Sequence, residues 1–198
     1  MKASELLGET SYLHPGEMSR KMLDGGISIG AIKRDYGKLG QIQDLIVYID
    51  NHNTHVIVID LTSEVITDRF EQVFRIQFKP SNLLKFKNNF TNLIQVDKVS
   101  VLRKSGTQGI ASTVYKMIVD NGFTLVSDVT QFDPAKALWK KLAQDSVYKI
   151  YVADIDQGIF QDEDGIDIVY NGSNINDHDI WTSGSDMNGI YRVLIMTK

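Results

Sequence analysis

Residues 45–49 and 56–61 are two runs dense in β-branched side chains, separated by the polar stretch Asp50-Asn51-His52-Asn53-Thr54-His55. That pattern predicts two strands joined as a hairpin. Residues 73–78 alternate, with Phe74, Ile76 and Phe78 on one face and Val73, Arg75 and Gln77 on the other, as a half-buried strand requires. Residues 93–102 predict a further strand, which runs into the small-residue turn Ser105-Gly106-Thr107-Gln108-Gly109-Ile110-Ala111. From Gln108 to Asn121 the spacing changes to that of a helix, with Ile110, Val114, Met117 and Ile118 on one side and Gly122 as its stop. A short apolar strand over 123–126 follows. Asp133-Pro134 then opens a second helix, with an Asp cap, a proline in the first turn and the apolar stripe Ala135, Leu138, Trp139, Leu142, Ala143.

Strands are also predicted over 147–153 and 191–196, with Asp164-Gly165 as a tight turn between 158–160 and 166–170. The polar, glycine-rich run 171–189 predicts a long loop. Near the start, His14-Pro15-Gly16-Glu17 reads as a helix opening and Gly25-Gly26 as its end. With no internal repeat and no composition break, residues 1–198 are expected to form a single α/β domain around a mixed sheet. The helix between strands 93–102 and 123–126 acts as a crossover, which makes those two strands parallel. Small residues at the entry to that helix leave its first amides directed outward at the positive end of the helix dipole. This is a place for an anion, and close enough in backbone approach for a pyrophosphate.

Charge sharpens this picture. The chain of 198 residues carries a net charge of −4 and no cysteine. Disulfides, thiolate metal sites and a cysteine nucleophile are therefore excluded. The net charge argues against a general nucleic-acid binder. No apolar run reaches the roughly 20 residues of a membrane span, and the N-terminus lacks a secretory core, so a cytoplasmic protein is expected. Lys79, Lys85, Lys87, Lys98, Arg103 and Lys104 gather in the middle of the chain, whereas residues 150–191 contain many carboxylates and no Lys or Arg. Such asymmetry suits an anionic cofactor and a cationic substrate, and equally suits solvated loops of mixed sign. His52 with His55 lacks a clear third metal ligand. Asp154-Ile155-Asp156-Gln157-Gly158 begins like a calcium loop but has Gly165 where the twelfth-position Glu belongs. No metal is expected.

The segment 93–150 resembles the acyl-CoA-binding core of the GNAT superfamily of N-acetyltransferases. The family's loop, (Gln/Arg)-x-x-Gly-x-(Gly/Ala), is matched through Gly109-Ile110-Ala111, with Gly106 in place of the first Gln or Arg and Arg103 three residues earlier. The continuation GIASTVYKMIVDNGFTLVSD is similar to the family's helix and next strand, and Ala137-Leu138-Trp139-Lys140-Lys141-Leu142 to its following helix. The resemblance implies a GNAT-like domain with a mixed, mostly antiparallel sheet and helices on both faces. It implies acetyl-CoA as co-substrate, held by Val101, Leu102, Arg103, Lys104, Ser105, Gly106, Thr107, Gln108, Gly109, Ile110, Ala111 and Ser112, and a primary amine as acceptor. The acidic C-terminal region, with Asp177, Asp179 and Asp186, favours a cationic one.

Chemistry in the family is mostly positioning: a deprotonated amine attacks the thioester, and an acid protonates the leaving thiolate. Ser127 and Asp128, which follow the second core strand, are the candidates near the reacting centre, with Asp128 as general base. The usual Tyr is replaced here by Trp139, whose indole N–H is no usable proton source. Tyr115, Tyr148 and Tyr151 are the alternatives for the acid, or water serves. Two other readings stay open: a non-catalytic CoA-binding or interaction protein of the same fold, and a relative that modifies nucleic-acid bases. Family members often pair through C-terminal strands, so a homodimer is compatible with the resemblance.

Overall fold

The structure, a computed structural model, describes residues 26–62, 69–79, 90–101, 109–129, 133–181 and 192–198. The helix expected after Pro15 lies outside the described residues, as do turn residues 102–108 and residues 182–191. The described chain is α/β, with four helices and an open, mostly antiparallel mixed sheet. It gathers into two compact units, one from Met1–Lys79 with Val96–Met117, the other from Pro80–Gln95 with Ile118–Lys198.

In the first unit, β1 (Ile27–Ser28) pairs with β5 (Arg69–Lys79), and α1 (Ile29–Asp35) leads into β2 (Tyr36–Ile42). β2, β3 (Leu45–Asp50), β4 (His55–Asp60) and β5 follow one another as antiparallel neighbours, with β6 (Leu93–Val101) beside β5. The predicted hairpin is β3–β4, and Asp50 shapes its turn. Its carboxylate accepts from the Thr54 amide at 2.6 Å, the Thr54 hydroxyl at 2.5 Å and the His55 amide at 2.8 Å. Val56, Ile57, Val58 and Ile59 are all buried, so β4 is covered on both faces. On one of them Ile57 and Ile59 pack with Ile32 of α1, with Tyr36, Ile46, Tyr48 and Phe70 around them. α1 begins where the Ser28 hydroxyl accepts from the Ala31 amide at 3.1 Å.

The second unit orders its strands β6, β7 (Thr124–Val126), β10 (Arg192–Thr197), β8 (Lys149–Asp154) and β9 (Gly158–Ile159). β6 and β7 are parallel, in register Leu93↔Thr124, Ile94↔Leu125 and Gln95↔Val126, while β7–β10, β10–β8 and β8–β9 are antiparallel. The crossover between the parallel pair contains α2 (Ile110–Asp120). Its C-terminus closes as expected at Gly122: the Gly122 amide donates to Val119 O and the Phe123 amide to Ile118 O. The Asn92 side chain then donates to Gly122 O at 3.1 Å, tying that cap to the start of β6. Val126, Ala153, Val193 and Ile195 form a core to which Phe90, Leu93 and Tyr151 add partial cover. α3 (Asp133–Ala143) buries Trp139 and Leu142, two members of its predicted stripe.

The described part of the loop expected over 171–189, residues 171–181, is more ordered than its composition suggests. It contains a one-turn helix, α4 (Asp177–Ile180), with Ile180 and Trp181 buried. Asp177 organises this turn, accepting from Lys140 Nζ at 2.6 Å and from the Trp181 indole at 3.2 Å. Just before it, Gly172 has φ +95° and sits against α3, where a Cβ would lie 3.0 Å from the Lys140 carbonyl oxygen. Substituting alanine there combines backbone strain with a backbone clash. Gly172→Ala should cost about 1–3 kcal/mol, read as a lower urea midpoint at unchanged m-value.

Candidate functional site

Only the end of the sequence-predicted phosphate turn is described, namely Gly109 to Ser112, preceded by Val101 at the end of β6. Gly109 has φ +73°, and nothing lies within 4 Å of where a Cβ would stand. Its carbonyl accepts the first intrahelical bond, from the Thr113 amide at 3.3 Å, and also the Ser112 hydroxyl at 2.8 Å. The helix therefore starts at a position whose backbone favours glycine. In helix geometry the amides of Ile110, Ala111 and Ser112 precede the first intrahelical donor. The Ser112 and Thr113 hydroxyls turn back to the Gly109 carbonyl. α2 is held firmly behind this entry, with Ile110, Val114, Tyr115, Ile118 and Val119 buried. Leu102, Arg103, Lys104, Ser105, Gly106, Thr107 and Gln108, the remainder of the expected cradle, lie outside the described residues.

β6 continues to Val101 after its pairing with β7 stops at Gln95↔Val126. β7 ends one residue before Ser127. Ser127 is almost fully buried and spends its polar groups on the fold. Its hydroxyl accepts from the Leu194 amide at 2.9 Å and donates to the Asp128 carbonyl at 2.8 Å. Its own amide donates to Leu194 O at 2.8 Å, and its carbonyl accepts from the Gln95 side chain at 3.1 Å. Asp128, half-buried, takes the Val129 amide on Oδ1 at 2.8 Å.

Tyr148 is placed at the other end of α2. Its hydroxyl donates to Asp120 Oδ2 at 3.0 Å, and Lys198 Nζ reaches Asp120 Oδ1 at 2.9 Å. Burial first, then the Asp120 carboxylate, pushes the Tyr148 phenol up to about 12. Tyr151 is half-buried against Phe90, ring centroids 5.8 Å apart, and Tyr115 is buried on α2.

The acidic C-terminal stretch uses several carboxylates for local structure. Asp154 Oδ1 accepts from the Asp156 and Gln157 amides, and Asp162 Oδ1 from those of Asp164 and Ile166 in the predicted Asp164-Gly165 turn. The Lys140 hydrogen bond holds Asp177 below the usual carboxylate range. Of the carboxylates expected to favour a cationic acceptor, Asp177 is thus paired within the chain, Asp179 is described, and Asp186 lies outside the described residues. Among the described residues, no three His, Asp or Glu side chains gather into a group that could hold a metal. No helix among them is long and apolar enough to cross a membrane.

No family model matches this chain, and neither a curated protein nor a solved structure does.

These placements separate structural from chemical roles. Ser127→Ala should destabilise by about 1–3 kcal/mol, because it orphans the buried Leu194 amide, and denaturant titration measures it. Burial and then Asp177 also push Tyr170 up to about 12. Folded Tyr148 and Tyr170 keep their protons beyond the unfolded value of about 10, so the stability they contribute is complete below pH 10 and is lost as pH rises from 10 to 12. Phe at both positions should flatten that alkaline decline. At neutral pH, Tyr148→Phe should cost about 1 kcal/mol. Tyr170→Phe should cost little, since the Tyr170 hydroxyl has no hydrogen-bond partner among the described residues.

Proposed function

We propose that this chain is an acyl-CoA-dependent N-acyltransferase of GNAT-like fold, with helices on both faces of its sheet, moving the acetyl group of acetyl-CoA to a primary amine. The observation that carries the reading is the way α2 begins. Gly109, at positive φ and with nothing within 4 Å of where a Cβ would stand, starts the helix, and a pyrophosphate there would meet the dipole and the first amides. The β6–β7 pairing, parallel but limited to three residue pairs, supports it. A pantetheine arm needs a strand with backbone groups left over, and β6 runs six residues past its last pair with β7.

In this reading Asp128 takes a proton from the acceptor ammonium, directly or through water. The amine nitrogen attacks the thioester carbonyl, the tetrahedral intermediate expels the CoA thiolate, and the nitrogen's remaining extra proton leaves to solvent. The thiolate is protonated by water. Tyr148, bonded to Asp120 and raised to about 12, is a poor donor, and Ser127 serves by fixing the backbone that carries Asp128.

A second reading, CoA binding without turnover, is favoured by Trp139. It is fully buried in α3 at the position where the family resemblance expects the acid.

Calorimetric titration with acetyl-CoA and with CoA tests the shared part. Saturable binding of both is expected, weakened at least ten-fold, or about 1.4 kcal/mol, in Gly109→Glu. No binding to the wild-type protein would contradict both readings. Release of free CoA from acetyl-CoA with a panel of primary amines then separates them. Asp128→Asn should lower kcat by about 10²–10⁴-fold while leaving acetyl-CoA binding unchanged, and no CoA release with any amine would favour the binding-only reading.

A further inference from the structure

The first unit carries a second polar cluster, distinct from the start of α2. Tyr36 of β2 pairs with Asp50 of β3, and His55 of β4 with Gln77 of β5. Asp50 and His55 face each other at the ends of the β3–β4 ladder, with Asp50 Oδ2 3.7 Å from His55 Nδ1. Two residues further along the strands, the same face carries Lys38, Tyr48, Ile57 and Arg75 in a second cross-strand row. This is the face on which α1 packs Ile32 over Ile57 and Ile59, so the polar groups sit against an apolar floor.

The charges here are unequally satisfied. Asp50 takes three hydrogen bonds from its own turn. Arg75 is half-buried, and among the described residues its Nε has no hydrogen-bond partner. No carboxylate among them forms an ion pair with Arg75. A guanidinium N–H withdrawn from water without a hydrogen-bond partner is costly, and such a group is ordinarily paired. Its field nevertheless reaches both Tyr36 and His55, favouring the deprotonated form of each. Burial and Arg75 together keep the imidazole below its ordinary value, against the pull of Asp50. A neutral imidazole has one N–H, which His55 gives to the Thr54 hydroxyl at 2.8 Å; a phenol has its O–H to donate, and the guanidinium fork suits two oxygens of one group.

We propose that Arg75, with the Tyr36 hydroxyl as a second donor, forms a binding site for an oxyanion, the carboxylate or phosphate group of a small molecule. The bound oxygens supply the partner that Arg75 Nε lacks among the described residues. Tyr36 adds a donor on a face whose carboxylate, Asp50, is already occupied by its turn, while His55 Nδ1 is engaged with the Thr54 hydroxyl at 2.8 Å. The site is independent of acyl transfer and stands whichever reading of α2 holds.

Thermal unfolding at constant ionic strength, with chloride replaced stepwise by inorganic phosphate or by acetate, tests it. The wild-type Tm should rise saturably with at least one of the two, by roughly 5–10 °C at a hundred-fold excess over Kd. The anion that acts assigns the group as phosphate or carboxylate. Arg75→Met should lose the shift and be at least as stable as wild type in chloride, Tyr36→Phe should weaken the shift, and Gly109→Glu should keep it. A wild-type Tm that responds alike to all three anions, or a shift that survives in Arg75→Met, would overturn the proposal. Should Arg75→Met fail to fold, the Arg75 Nε–H resonance of the wild-type protein decides. Movement on adding phosphate or acetate supports the site, and no movement overturns it.

Discussion

The parallel alignment of β6 and β7 is the constraint from which the rest follows. Antiparallel neighbours can be joined by a two-residue turn, but parallel ones require the chain to return along its whole length. Here α2 lies on the return path, and its C-terminus is fixed by Gly122 and by the Asn92 side chain at the start of β6. The Thr124 amide donates to Asn92 O, which aligns the incoming strand as it leaves the helix. Anchored in this way, α2 begins at Ile110 and ends beside the start of β6. The register also ends early. After Val126 the chain turns to β10 through Ser127, whose amide and hydroxyl both engage Leu194.

Polar side chains show how much of this molecule is devoted to shape. Asp50, Asp60, Asp154 and Asp162 each accept from backbone amides a few residues ahead, closing turns that the strands require. Asp120 and Asp177 receive a lysine and a second donor each. A net acidic stretch can thus be mostly turn chemistry, and its charge alone does not define a substrate. Arg75 has the opposite accounting: among the described residues its buried Nε has no hydrogen-bond partner.

Elements that satisfy themselves locally could be read from the sequence. The β3–β4 hairpin has its β-branched runs and a polar turn, α2 its stripe and glycine stop, and α3 its Asp-Pro opening, and all three form within a residue or two of the expected limits. β2 gave no such signal. YGKLGQI contains two glycines and no β-branched residue before its last position, and it becomes a strand through its pairing with β3. α1 buries only Ile32 and has a single side-chain cap, too little periodicity to register. α4 is one turn long and rests on Lys140 and Trp181. The site divides along the same line. Gly109 as a helix start is a local property. The binding of Ser127 to Leu194 depends on a strand sixty-seven residues later, and the unpartnered Nε of Arg75, among the described residues, depends on which residues three other strands bring beside it.

The most direct test of the acyl-CoA cradle is to record the backbone amide resonances of Ile110, Ala111 and Ser112 while CoA is added, with pantetheine lacking the pyrophosphate as the comparison. Pyrophosphate capture at the start of α2 predicts large, saturable shifts of these amides with CoA, and little change with pantetheine. Shifts confined to other parts of the chain, or none at all, would contradict it.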